Sequence, residues 1–188
     1  MGLQNSQNNS MVFLSISNGK LVRQLKEKTE NSVSRINKVG REVHELFYDS
    51  LQGVIKSVGT KESDYGKFFV VKVESGGVTY QLEFNYSGGY AATFLKALPN
   101  ADLSREVVLS PKLIIEGDKK KSVLFIAQDG KGLKFYFTKD TPNGMPDLQK
   151  IKVKGKDTWD DSERMEFLEK YAVSLFAPKE VQSEEPPF

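Results

Sequence analysis

The stretch KFFVVKVE at residues 67–74, followed by SGG at 75–77 and VTYQLEFNY at 78–86, decides how the rest of the chain is read. In the longer run Val78, Tyr80, Leu82, Phe84 and Tyr86 fall on one face, and Thr79, Gln81, Glu83 and Asn85 on the other. That is the period-two signature of a half-buried strand. The first run alternates too, with Phe69, Val71 and Val73 against Phe68, Val70 and Lys72, and the glycines between the runs supply hairpin chemistry. The period then changes. SGGYAATFLKALP (87–99) sets Tyr90, Phe94 and Leu98 four apart with Leu95 beside them, between Ser87 as a cap and Pro99 as a stop. This spacing predicts one short helix.

Working outward, SLQGVIKSVGTK (50–61) supplies a strand before this pair, rich in β-branched residues. MVFLSI (11–16) and KLVRQL (20–25) flank SNG, and Asn18-Gly19 is the strongest short hairpin signal a sequence offers. REVHELFY (41–48) reads as a further strand, whereas residues 31–40 give no clear period. Downstream, REVVLSPKLIIE (105–116), SVLFIAQ (122–128) and LKFYFT (133–138) read as strands joined by GDKKK and DGKG. LQKIKVKGK (148–156) alternates again, and DDSERMEFLEKYAVSLF (160–176) predicts a final helix with Met165, Leu168, Ala172 and Leu175 on one face.

Three meandering strands, a helix and more strands form the order of a five-stranded Greek-key barrel of the OB-fold type. The chain is therefore expected to be mainly β: an OB-fold-like barrel from residues 50–138 with one helix after its third strand, extra N-terminal strands and a C-terminal helix. Other small barrels and sandwiches share this order. Residues 11–176 form the expected domain, 1–10 a disordered polar segment and 177–188 a flexible acidic tail.

A chain of 188 residues buries roughly 70% of its unfolded surface without a covalent staple. It has no cysteine, which removes disulfides, thiolate nucleophiles and cysteine–metal sites and favours a cytoplasmic setting. No run approaches the ~20 apolar residues of a membrane span. Gly2 and Ser6 match a myristoylation pattern, but that match is short and common. The net charge of +2 divides into −2 over residues 177–188 and +4 over the rest. A homo-oligomer is compatible with everything above.

Nothing in the sequence asks for a catalytic group, a metal or a cofactor. His44 is the only histidine, and strand alternation turns Glu45 to the face opposite it. Asp157, Asp160 and Asp161 suit the start of the last helix better than a metal site, and no glycine pair has the phosphate-loop pattern. Basic residues interleaved with aromatics stand out instead. Tyr65, Lys67, Phe68 and Lys72 cluster around one strand, and Lys134 and Tyr136 lie outside another whose core side is Leu133, Phe135 and Phe137. Lys56 and Lys61 join them only if their strand is bulged, and Lys150, Lys152 and Lys154, with Lys156 after them, make a positive stripe. Lysines follow phosphates while aromatic faces stack unpaired bases, so this set is a candidate surface for single-stranded nucleic acid. Each residue taken singly is also an ordinary strand or surface residue.

The segment PKEVQSEEPPF (178–188) resembles the C-terminal tip of bacterial single-stranded DNA-binding proteins, in which acidic residues precede proline-phenylalanine. Some phage single-stranded DNA-binding proteins end similarly, and the short acidic run here is closer to the phage type. The match lies in Glu184, Glu185, Pro187 and Phe188. The resemblance implies an OB-fold core that coats unpaired DNA, and a tip that docks replication, recombination or repair proteins. Its rival is a β-rich virion or assembly protein without nucleic-acid binding.

Overall fold

In the computed structural model, which describes residues 11–178, the strand pair marked by alternation is β6 (Gly66–Ser75) and β7 (Val78–Asn85). Before them come β1 (Met11–Ser17), β2 (Lys20–Leu25), β3 (Val33–Ile36), β4 (Glu42–Tyr48) and β5 (Leu51–Ser63). After them come α1 (Gly89–Ala97), β8 (Val107–Glu116), β9 (Lys119–Gln128), a two-residue β10 (Lys131–Gly132), β11 (Gln149–Val153), β12 (Lys156–Asp160) and α2 (Ser162–Ser174). Ten strands form one mixed sheet in the order β10-β9-β8-β5-β6-β7-β1-β2-β4-β3, and β11 and β12 make a separate hairpin. The protein is mainly β, with the N-terminal strands and C-terminal helix expected from the sequence. No helix among the described residues is long and apolar enough to cross a membrane.

The expected closed barrel is not formed: no sheet closes among the described residues. β5, β6, β7, β8 and β9 pair as an open run, and the free edge of β7 is taken by β1 in parallel register, Leu14 beside Leu82. At the opposite side α1 covers the edge of β9. The Thr93 hydroxyl accepts from Leu124 N–H at 2.9 Å and donates to the Gly89 carbonyl at 2.7 Å, so helix and strand edge share one buried group. Gly89 permits that approach, since a Cβ there would lie 2.1 Å from the Ser122 carbonyl oxygen.

The β1–β2 turn explains its own sequence. Asn18 and Gly19 both have positive φ, 48° and 75°, as a tight hairpin turn of the primed kind needs. Gly19 also backs onto β8, where a Cβ would meet Leu113 N at 2.6 Å, and its N–H donates to the Tyr90 hydroxyl. The sheet thus curls until its first hairpin touches the β8–β9 hairpin without exchanging ladder hydrogen bonds.

One core fills the concave side. Phe69, Val71 and Val73 from β6, Leu82 and Phe84 from β7, and Phe94, Leu95 and Leu98 from the helical segment are all essentially buried. Phe94 stands edge-on to Phe84 at 5.7 Å between ring centres.

Residues 133–138 are not a strand. Their alternation is real, but their amides serve other partners: Leu133 N–H donates to the Ile126 carbonyl, and Tyr136 N–H to the Lys96 carbonyl at 2.7 Å. Helix C-termini leave carbonyls unpaired, and this segment satisfies one on α1. Phe137 is buried as expected, but Phe135 is exposed, and Tyr136 leans inward against Phe137 and Tyr171.

Candidate nucleic-acid interface

The convex face of the sheet is set by a bulge in β5. Ile55 lies opposite Val73, but the next pair is Ser57 with Lys72, so Lys56 is the extra residue. The insertion reverses the alternation. Lys56 and Lys61, on opposite faces of a regular strand, therefore point to the same side. Across this face Lys61 lies opposite Phe68 and Phe68 opposite Asn85; Val70 sits between Gly59 and Glu83; Lys72 sits between Ser57 and Gln81. A side chain at Gly59 would meet no atom within 4 Å, so the surface beside Val70 is open.

β1 extends the face. Phe13 lies beside Gln81 in the parallel register and is 59% exposed. Sequence reasoning passed over it, although Met11, Phe13 and Ser15 alternate visibly with the core-facing Val12, Leu14 and Ile16. Two aromatic side chains, Phe68 and Phe13, thus share a sheet surface with three lysines.

The charges on this face are partly spent. Lys56 pairs with Glu74 at 3.4 Å and Lys61 with Glu83 at 2.5 Å, while Gln81 also donates to Glu83. Exposed pairs of this kind contribute ~0–1 kcal/mol, so an incoming phosphate can displace the carboxylates at small cost. Lys72 meets no carboxylate among the described residues. Tyr65, 88% exposed, stands on the β5–β6 turn beyond Lys61 and Phe68.

Lys67 belongs to a different arrangement. Its ammonium lies 2.7 Å from Glu169 of α2 and 4.0 Å from the centre of the Tyr86 ring. Thr60 donates to the same carboxylate at 3.0 Å, and Tyr86 hydrogen-bonds to it as well. Burial pushes the Glu169 carboxyl up, but the hydrogen bonds from Lys67, Tyr86 and Thr60 and the Lys67 charge outweigh it, leaving it below the usual range. Burial and then Glu169 push the Tyr86 phenol well above its ordinary value. This cluster ties α2 to β5, β6 and the residue that follows β7, and it turns Lys67 toward α2 rather than onto the convex face.

The linkage has a definite sign. A lowered Glu169 stabilises the fold above the ordinary carboxyl value near pH 4.3, and that contribution fades as pH falls through the folded-state value. A raised Tyr86 contributes below about pH 10 and loses that contribution as pH rises further. Glu169→Gln should lower unfolding free energy by about 1 kcal/mol at pH 7, the amount expected for a charge-assisted hydrogen bond with partial solvent access. Urea denaturation at pH 7 and pH 3 checks this, because the difference between variant and wild type should shrink at the acid end.

The remaining candidates lie away from the convex face. Lys134 is exposed near the end of α1, where Asn100 holds its carbonyl, and the Tyr136 ring is a packing element between α1 and α2. Lys150 and Lys152 lie on the separate β11–β12 hairpin, Lys150 paired with Asp157 at 2.7 Å, and Lys154 occupies its turn with φ 51°. Glu184, Glu185, Pro187 and Phe188 lie outside the described residues, as does the segment 1–10.

No family model, curated protein or solved structure matches the chain. His44 has a local partner, as do Glu45 and Asp160 among the carboxylates set aside on sequence grounds. His44 Nδ1 lies 2.8 Å from the Ser34 hydroxyl, and Glu45, facing the other way, is held by both arms of Arg35. Asp160 accepts from Ser162 N–H and hydroxyl at the start of α2.

Proposed function

We propose that the protein binds single-stranded DNA on the convex face of β5, β6, β7 and β1, coating unpaired strands without acting on them. The observation that carries this reading is the β5 bulge, which gathers Lys56, Lys61 and Lys72 onto one surface with Phe68 and Phe13. Aromatic faces stack bases of any sequence while lysines follow the phosphates. The pairing path β5-β6-β7 and β5-β8-β9, with α1 between β7 and β8, supports an opened relative of the Greek-key barrel. In such barrels the face of the second and third strands binds oligonucleotides, and β6 and β7 hold those places. Recruitment of replication, recombination or repair proteins through Glu184, Glu185, Pro187 and Phe188 rests on the likeness of those residues to the acidic tip.

Fluorescence anisotropy with labelled oligo-dT, oligo-rU and duplex DNA, repeated over a range of salt, tests the reading. Single strands should be preferred over duplex, with log affinity falling by about 0.7 per neutralised phosphate against log salt. Lys72→Gln should flatten that slope by about 0.7, because Lys72 faces solvent without a carboxylate to replace it. Absence of binding to any single strand at low salt would leave the virion or assembly role instead.

A further inference from the structure

A second basic surface lies on the other side of the molecule, in a cavity of about 560 Å³ between the β11–β12 hairpin, α2 and the segment after Tyr136. Lys96, Lys139 and Arg164 line it, and none of them forms an ion pair with a carboxylate among the described residues. Elsewhere the described cations often sit against acids, as Lys20, Arg35, Lys61, Lys67 and Arg105 do. Lys96 and Arg164 are both half-buried. Burial, and then the charge of Arg164, hold the Lys96 ammonium below its ordinary pKa. Asp147 is the carboxylate in the wall and is itself exposed.

The same cleft is walled by Trp159, the only tryptophan of the chain, which remains 65% exposed. A large aromatic ring left in water beside unpaired cations fits a ligand with a flat face and an anionic group. The volume falls within the ~300–1,000 Å³ usual for small-ligand sites. Three cations from separate segments can surround a phosphate, and the planar guanidinium of Arg164 suits its oxygens. Arg164 is already positioned, since its Nε donates to the Pro146 carbonyl at 3.0 Å and leaves its terminal nitrogens for another acceptor.

We propose that this cleft binds a nucleotide unit, its phosphate held by Lys96, Lys139 and Arg164 and its base laid against the indole of Trp159. The site is separate from the convex sheet face and does not depend on it.

Because Trp159 is the sole tryptophan, emission excited selectively in the indole, away from the seven tyrosines, reports on this cleft. Titration with thymidine monophosphate, and separately with oligo-dT, should quench that emission saturably. Inorganic phosphate should compete with the monophosphate without itself quenching. Arg164→Gln and, at an exposed position, Lys139→Gln should each raise the dissociation constant of the quench on the order of tenfold, whereas Phe68→Ala should leave the monophosphate response unchanged. Circular dichroism establishes that each variant is folded, and Lys139→Gln keeps the test decisive if Arg164→Gln is not. Emission unaffected by saturating monophosphate, or a quench indifferent to both substitutions, overturns the site. Quenching by monophosphate together with oligo-dT binding that Phe68→Ala and Phe13→Ala leave unchanged would keep this site and sink the sheet-face reading. Tight oligo-dT binding with unchanged Trp159 emission would do the reverse.

Discussion

Replacing Phe94 by alanine is expected to lower the unfolding free energy by about 3–5 kcal/mol, the range for emptying a fully buried aromatic site. Phe94 has no exposed surface and meets Phe84 edge-on, so its ring joins α1 to the middle of the sheet. α1 has nine residues, too few to hold a helix in water without tertiary support. Loosening it exposes more than one cavity. The Leu124 N–H loses its acceptor on Thr93, and the segment from Leu133 to Phe137 loses the Lys96 carbonyl on which it is hung. Against a typical total of about 5–15 kcal/mol, this one substitution removes much of the margin. Urea denaturation should show a lower midpoint with an unchanged slope. Phe13→Ala, at an exposed position, should stay within about 0.5 kcal/mol of wild type. Equal effects of the two would mean that α1 does not close the core.

How much of this was legible follows from where the pattern is local. β6, β7 and the β1–β2 hairpin could be read because alternation and Asn18-Gly19 specify them within a few residues. The bulge left a trace as well: Ile55 and Val58 are three apart, a phase change that regular alternation does not make. Which strand lies beside β7 could not be read. β1 and a returning late strand both offer alternating apolar residues, and only the three-dimensional path decides between them. Leu133, Phe135 and Phe137 alternate as a strand would, yet their segment uses its amides to finish α1, a long-range choice invisible in its own residues. The same cause misplaced Tyr136, which was expected outside and stands against Tyr171. Lys67 looked like a phosphate contact because its partner, Glu169, is over a hundred residues away.

The second large effect concerns the proposed binding face. Phe68→Ala and Phe13→Ala should each weaken binding to oligo-dT by about 1–3 kcal/mol, and the double variant by close to their sum. Additivity is expected from spacing. The residues lie two strands apart and four positions out of step, roughly 16 Å by ladder geometry, which exceeds the ~7–10 Å within which substitutions usually couple. A fall of about a hundredfold or more in the double variant, with the fold intact by circular dichroism, is the expected result. Neither ring packs into the buried core, so lost affinity here reports on stacking. Unchanged affinity in the double variant would remove both residues from the interface.

The most direct measurement is photochemical cross-linking of the full chain to an oligo-dT carrying 5-iodouracil, with the adducts located by mass spectrometry. The account predicts adducts at Phe68 and Phe13, lost when oligo-dT without the label is added in excess. Specific cross-links confined to residues off the convex face, with none on β1 or β6, would contradict it.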